Sequence, residues 1–137
     1  MNRTDLQKLS NTRIREAHIL FDAGEYSGAY YLAGYAIECA LKACFAKGVQ
    51  KFDFPDKNVK KIFIHNLTEL VVLANLKDEL LTSRQASEKF AAGWDVVSRW
   101  TEESRYTFPL AKNDAEELLD AIVRRKDGVL PWIKRHW

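Results

Sequence analysis

The segment spanning residues 27–47 constrains the fold of this chain more than any other part of its sequence. It reads SGAYYLAGYAIECALKACFAK, in which Glu38 and Lys42 are the only charged residues before the final lysine. A helix rotates by about 100° per residue, so small and aliphatic side chains collect on one face. That face contains Ala29, Leu32, Ala33, Ala36, Ile37, Ala40, Leu41 and Cys44. A helix with so little polar surface must be covered on most sides, and we therefore expect it to be the central element of a helical domain.

The opposite face is aromatic and carries both charges, which makes it the first candidate for a site or a subunit interface. It contains Tyr31, Gly34, Tyr35, Glu38, Lys42 and Phe45. We expect a second chain or a bound molecule to shield its tyrosines. A partly desolvated carboxylate needs a partner, and Lys42, Arg105 and a bound anion are the candidates for Glu38. Glu38 and Lys42 also have the favourable order for an i, i+4 surface pair, so a purely helix-stabilising role stays open.

Composition indicates an ordinary globular chain. Its 137 residues are 47% hydrophobic and 29% charged, and the formal net charge of +2 says little about partners. This length suffices for a sizeable core, and we expect residues 1–137 to form a single domain. Cys39 and Cys44 lie on different sides of one predicted helix and cannot bridge each other, so we expect reduced thiols. No two histidines have ligand spacing, so we expect neither a metal nor another cofactor.

We also expect a cytoplasmic protein that does not enter a membrane. The apolar run at 29–46 has nearly the length of a membrane-spanning helix, but Gly34, Glu38 and Lys42 interrupt it. No apolar stretch follows Met1, so the sequence predicts no signal peptide.

Helix signals recur along the chain, and strand signals are nearly absent. Capping boxes that would start three helices are predicted at Thr4–Gln7, Asn66–Glu69 and Asn113–Glu116. We expect helices to end at Gly24, Gly48 and Gly128, and a fourth helix to run from Gln85 to about Glu103. The stretch 76–83 is ambiguous between helix and turn. The pattern predicts an all-α, up-and-down helical bundle of about five helices.

Cationic residues form two further groups. Lys57, Lys60 and Lys61 lie upstream of His65, which itself precedes a predicted helix start, where free backbone amides favour anions. A phosphate-facing patch and a neutral imidazole bonded to backbone both explain His65. The second group is near the C-terminus and contains Arg124, Arg125, Lys126, Lys134 and Arg135. It has two interpretations, a solvated helix end and a surface that contacts phosphate.

Several of these features occur in the order typical of a known family. They are the turn at 24–26, the alanine-rich pattern at 29–43, the helix start at 65–67 and the later Trp100…Arg105-Tyr106. Over roughly residues 5 to 125 the chain resembles the HEPN family of small prokaryotic helical bundles, which are often encoded beside minimal nucleotidyltransferases. The resemblance implies a bundle that dimerises and acts in toxin–antitoxin pairs, phage defence or RNA cleavage.

The short motif of catalytic HEPN proteins is not matched in its usual place. That motif is an arginine, usually a polar residue, and a histidine four to six residues beyond. It makes a metal-independent ribonuclease in which histidine moves the proton of a ribose hydroxyl and arginine stabilises phosphate. After Arg105 the corresponding positions hold Leu110, Ala111 and Lys112. Arg13 to His18 matches literally, but its residues lie about 140° apart around the first helix, and we interpret it as a chance match.

Three hypotheses about function follow. The leading one is a HEPN-like partner module of a toxin–antitoxin or defence pair, which binds nucleotide, RNA or a nucleotidyltransferase and lacks an intact nuclease motif. The alternative is a metal-independent endoribonuclease that uses His65 or His18 with an arginine across a homodimer. The third is a purely structural dimeric adaptor. Arg105 and His65 are the candidate catalytic residues, and the candidate ligand-binding or interface residues are Tyr31, Tyr35, Glu38, Lys42 and Tyr106.

Overall fold

The computed structural model describes residues 1–52 and 63–137. The helices are α1 (Arg3–Asp22), α2 (Tyr26–Phe52), α3 (Leu67–Leu73), α4 (Lys77–Ala86), α5 (Glu88–Ser98), α6 (Lys112–Val123) and α7 (Val129–Lys134), and a 3₁₀ helix spans Glu102–Tyr106. No strand occurs within these two ranges. The all-α bundle predicted from sequence is confirmed, with seven α-helices in the described ranges where about five were expected.

Helix α2 is the centre of the bundle, as the sequence predicts. It packs most extensively against α1 and also contacts α3, α6, α7 and the 3₁₀ helix. The turn into α2 contains Gly24 at φ 83°, a left-handed conformation that glycine adopts at no steric cost. The expectation that Gly24 ends the first helix is therefore confirmed. Every residue of the predicted core face of α2 is buried except Leu32, which is partly exposed.

At Gly34 the side chain of Trp100 comes close to the backbone of α2. A methyl group added at this position would lie 2.2 Å from three atoms of the Trp100 side chain, far inside van der Waals contact. Trp100 follows the end of α5 and is 1% exposed. The absent side chain of Gly34 therefore lets the indole of Trp100 lie directly on the backbone of α2.

Several predicted helix boundaries are wrong. The capping box of α1 is formed by Asn2 and Asp5 rather than by Thr4 and Gln7, and α2 continues beyond Gly48 to Phe52. Helix α6 begins at Lys112 after Ala111, which offers no side-chain cap, so the box predicted at Asn113 does not start it.

The helix predicted from Gln85 to about Glu103 begins later and ends earlier than expected. Residues 77–86 form a helix of their own, and Ser87 then starts α5 by accepting a hydrogen bond from the amide of Phe90. Helix α5 ends at Ser98, so Arg105 belongs to the 3₁₀ helix that follows and not to the end of a long helix. Gly128 does not end α6, which stops at Val123; it directly precedes α7.

Candidate functional site

The carboxylate of Glu38 lies at the middle of α2 and is held by two cationic or titratable groups. The Glu38 side chain is 1% exposed. Its Oε1 accepts a hydrogen bond from Lys42 Nζ at 2.8 Å and lies 2.5 Å from His65 Nδ1. Because an isolated carboxylate is costly to bury, these two partners explain how Glu38 can occupy the interior. Of the partners expected from sequence, Lys42 is confirmed, whereas Arg105 does not bond to Glu38.

The start of α3 brings His65 to α2. The Asn66 side chain accepts a hydrogen bond from the amide of Glu69 and so caps α3, which confirms the predicted helix start. Leu67 and Leu70 are buried in the core, and α3 packs on α2. The packing of α3 on α2 therefore places His65, which precedes the cap, beside the Glu38 carboxylate.

The Nδ1 atom of His65 contacts Glu38, and its Nε2 atom does not take part in this contact. The side chain is 43% exposed, in contrast to its buried partner. A carboxylate accepts hydrogen bonds and donates none when it is ionised, so the contact assigns a proton to Nδ1. Nε2 is then an acceptor in the neutral ring and a donor in the charged ring. The contact with Glu38 thus fixes the orientation of the imidazole ring.

An aromatic stack continues the site towards the N-terminal end of α2. The rings of Tyr31 and Tyr35 are nearly parallel with centroids 6.1 Å apart, and Tyr31 stacks on Trp100 at the same separation. The chain therefore supplies part of the cover that was expected from a second molecule. Burial raises the pKa of Tyr35, and the neighbouring Cys39 and Glu38 raise it further. Tyr35 is consequently protonated at neutral pH and can donate a hydrogen bond.

Arg105 lies at the far end of this stack. Its guanidinium carbon lies 5.0 Å from the centroid of the Tyr106 ring, within the range of a cation–π contact. The hydroxyls of Tyr106 and then of Tyr31 favour the charged form and raise the pKa of Arg105. Arg105 and Tyr106 are both exposed, so the guanidinium remains accessible to a ligand.

Together these side chains form a continuous strip that we call the α2 groove. It consists of Tyr31, Tyr35, Glu38, Lys42, His65 and Arg105. Tyr31 and Glu38 are separated by about 10 Å along the axis of α2 at a rise of about 1.5 Å per residue. Tyr31, which lies beside Arg105, and Glu38, which contacts His65, are thus about two helical turns apart, a spacing that suits a ligand with two polar groups. Tyr106 lies at its edge, with 76% of its surface exposed.

The two cysteines are not nucleophiles at neutral pH. Burial raises the pKa of Cys39 to about 11, and the Glu38 carboxylate adds to this effect. Burial raises the pKa of Cys44 to about 12. Both thiols are free and buried, and thiolates are the reactive form.

Other sequence candidates lie away from the groove or outside the described residues. Arg13 pairs with Glu16, and His18 lines a separate cleft between α1 and α6. The lysines at 57, 60 and 61 lie outside the described residues. Within the described ranges, no three histidine, cysteine or acidic side chains are arranged to hold a metal ion.

Sequence reasoning missed the contact between Glu38 and His65. The two residues are 27 positions apart, so no helical spacing connects them. The available signal was indirect, since a carboxylate on an otherwise aromatic face requires a partner and His65 begins the next helix.

A comparison with protein families supports the same conclusion about the fold. A family model described as HEPN domain matches residues 5–125. No curated protein and no solved structure matches the chain. Within the described residues, no helix has both the length and the apolar character that crossing a membrane requires.

Proposed function

This chain belongs to the HEPN domain family, and on that premise we propose that it is a nucleotide- or RNA-binding partner module of a prokaryotic toxin–antitoxin or defence pair. A family of this kind points to an association with nucleotides or RNA. The α2 groove is the proposed binding surface, and Arg105 and His65 are the groups that contact the ligand. The observation that supports this proposal most strongly is the buried Glu38 carboxylate, which holds Lys42 and His65 at one end of an aromatic strip.

The charges of the groove favour an anionic ligand. Lys42 balances the buried carboxylate of Glu38, which leaves the exposed guanidinium of Arg105 as the positive charge that no carboxylate of the groove balances. A guanidinium offers a planar fork of donors that matches a phosphate. The hydroxyls of Tyr31 and Tyr35 add donors between the two ends. The groove therefore suits a phosphate at Arg105 and a second polar group at His65.

A second copy of the chain is the proposed cover of this surface. Phe63 is 72% exposed and precedes His65 by two residues, while Tyr106 and Phe108 are 76% and 86% exposed and follow Arg105. Large exposed apolar side chains at both ends of a groove are typical of an interaction surface. We propose a homodimer in which these aromatic residues pack against the partner subunit. A nucleotidyltransferase is a further proposed partner.

Nuclease activity is not part of this proposal because the usual histidine is missing. Leu110, Ala111 and Lys112 occupy the positions where it would follow Arg105. None of these side chains is an imidazole, the group that moves the proton in the usual motif. A module of this type would therefore bind without cutting.

A metal-independent endoribonuclease is the second candidate function, and one observation favours it. The Glu38 carboxylate orients the imidazole of His65 through Nδ1, which is how a carboxylate positions a catalytic histidine. Nε2 could then accept the proton of a ribose 2′-hydroxyl. The arginine that stabilises the phosphate would come from a second copy, because Arg105 of the same chain lies at the Tyr31 end of the groove, about 10 Å away along α2.

One experiment separates these functions. A labelled single-stranded RNA is incubated with the protein in EDTA, and binding and cleavage are both followed for wild type, Arg105→Ala and His65→Ala. Arg15→Ala is the matched control, because Arg15 is exposed on α1. The partner-module proposal predicts binding that Arg105→Ala weakens, without cleavage. Cleavage abolished by His65→Ala would replace it with the nuclease, and no binding of the RNA by wild type would favour a structural adaptor.

A further inference from the structure

A second cleft, of about 390 Å³, lies where the end of α4 and the start of α5 meet the loop before α7. We call it the basic cleft. The residues of its lining that matter here are Ser83, Ser87, Arg125, Lys126, Trp132 and Arg135. It shares no residue with the α2 groove, and it contains part of the cationic cluster near the C-terminus.

The basic cleft has an excess of positive charge. Arg125, Lys126 and Arg135 line it together with one carboxylate, that of Asp127. Among the residues that the structure describes, none of these three cations forms an ion pair, whereas the neighbouring Arg124 pairs with Asp120 at 2.9 Å. Asp127 accepts a hydrogen bond from Ser87 Oγ at 3.0 Å. The three cations are therefore available to an anion from outside the chain.

The floor of the cleft is fixed by hydrogen bonds and packing. Trp132 is 2% exposed, and its Nε1 donates to Ser83 Oγ at 2.9 Å. The Phe90 ring lies 5.3 Å from that of Trp132, and the Phe90 amide donates to Ser87 Oγ. Since Ser83 Oγ accepts from Trp132, its own hydroxyl proton is free to point into the cleft as a donor.

The loop that carries the cations is also constrained. Asp127 adopts φ 65°, a left-handed conformation that is uncommon for residues other than glycine. A side chain at the next position, Gly128, would lie 2.1 Å from the carbonyl oxygen of Arg124. The chain thus turns tightly from 124 to 128. Arg125 and Lys126, at the middle of this turn, are displayed from a backbone that has little freedom.

We propose that the basic cleft is a phosphate-binding site, distinct from the α2 groove. A phosphate would receive the guanidinium forks of Arg125 and Arg135, the ammonium of Lys126 and the hydroxyl of Ser83. The phosphate belongs to a nucleotide or to an RNA backbone, and both present the same oxygens. This inference does not rest on the function proposed for the groove, because none of the groove residues takes part.

The test compares two charge-matched double variants. Arg125→Ala/Lys126→Ala removes two cations from the cleft, and Lys8→Ala/Arg15→Ala removes two exposed cations from α1. Binding of a fluorescein-labelled single-stranded RNA of about 12 nucleotides is measured by anisotropy between about 50 and 200 mM salt. Inorganic phosphate and adenosine monophosphate are titrated separately, and the indole signal of Trp132 in nitrogen-15 spectra reports on the cleft.

The cleft variant is expected to weaken RNA binding about tenfold and to lower the salt slope by about 1.4, since each phosphate contact on a single strand contributes about 0.7. The α1 variant should retain wild-type affinity. A Trp132 shift with adenosine monophosphate but no RNA binding also supports the cleft and identifies a nucleotide. Equal losses in both double variants, or no Trp132 response to any of the three probes, would overturn the proposal. Arg105→Ala tests the groove separately.

Discussion

His65 Nδ1 lies 2.5 Å from Glu38 Oε1, although 27 residues separate the two in the chain. The contact joins a carboxylate that is 1% exposed to an imidazole that is 43% exposed. The buried carboxylate is thereby linked to a side chain that solvent and ligands can reach. Lys42 completes the arrangement from the next turn of α2. Any role of this groove depends on whether the three side chains keep these positions.

Replacing Glu38 by glutamine should destabilise the fold by about 2–3 kcal/mol. The amide cannot balance the charge of Lys42, and partly buried ionic groups that lose their partner are costly. Urea unfolding measures the difference. Asp95→Asn is the matched control, since Asp95 is 54% exposed in its ion pair with Arg84, and its loss should stay below about 0.5 kcal/mol. Equal effects of the two substitutions would contradict the buried network.

Gly34→Ala should be the most damaging single-methyl change in α2. The new methyl would lie 2.2 Å from atoms of the buried Trp100 ring, and overpacking of a core costs about 1–3 kcal/mol or more. Gly48→Ala in the same helix meets nothing within 4 Å in the described part of the chain, so it should stabilise by about 0.5–1 kcal/mol. Thermal unfolding compares the stabilities of the two variants with that of wild type. A stable Gly34→Ala protein would show that Trp100 does not pack there.

Stability should fall as the pH rises above about 9. The pKa of Cys39 is raised to about 11 and that of Cys44 to about 12, from an ordinary value of 9.0. The thiols of the unfolded chain therefore lose their protons at a lower pH than those of the folded chain. Raising the pH from about 9 to about 12 consequently favours the unfolded state. A pKa that is higher by one in the folded chain corresponds to about 1.4 kcal/mol of unfolding free energy.

Urea unfolding at pH 8 and pH 10.5 tests this dependence. Cys39→Ala should show a smaller loss between the two pH values than wild type, even if it is less stable at both. Raised pKa values of Tyr30 and Tyr35 act in the same direction, so part of the loss should remain in this variant. Identical pH dependence in Cys39→Ala and wild type would contradict the assignment to the thiol.

Asn66 and Asn113 allow a matched comparison, because both were predicted to cap a helix and only Asn66 does so. Asn66 caps α3 through the amide of Glu69, so Asn66→Ala should cost about 1 kcal/mol. Asn113 lies inside α6 and does not start it, so Asn113→Ala should change stability by less than about 0.5 kcal/mol. Chemical denaturation of the two variants measures both changes in unfolding free energy. A larger loss at Asn113 would restore the cap predicted from sequence.

The central helix was predictable because its pattern is strong. An alanine-rich segment in which Glu38 and Lys42 are the only charges before the final lysine can only be stable when it is buried, and its core face is buried as expected apart from Leu32. The same reasoning required a partner for Glu38 and found Lys42, since i, i+4 neighbours are fixed by helix geometry. It did not find His65, because the path of the chain between the two helices sets that contact.

Helix boundaries were less predictable, because competing caps lie close together in the sequence. Asn2–Asp5 formed the box that was expected two residues later. The fourth helix was expected to start at Gln85, but the hydroxyl of Ser87 caps α5 two residues later. Serine is a preferred N-cap residue, so the sequence contained a signal for this start. Arg105 lies in a 3₁₀ helix because α5 ends at Ser98, before the expected end near Glu103.

The most direct test of the α2 groove is a titration with adenosine monophosphate followed through the imidazole signals of the three histidines. We predict that the signals of His65 shift while those of His18 do not; the ring of His136 packs on Trp132, so its signals report on the basic cleft and not on the groove. We also predict that Arg105→Ala weakens binding about tenfold, as expected for the loss of one arginine–phosphate contact. A His65 signal that does not respond, or an affinity unchanged by Arg105→Ala, would contradict the groove as a binding site.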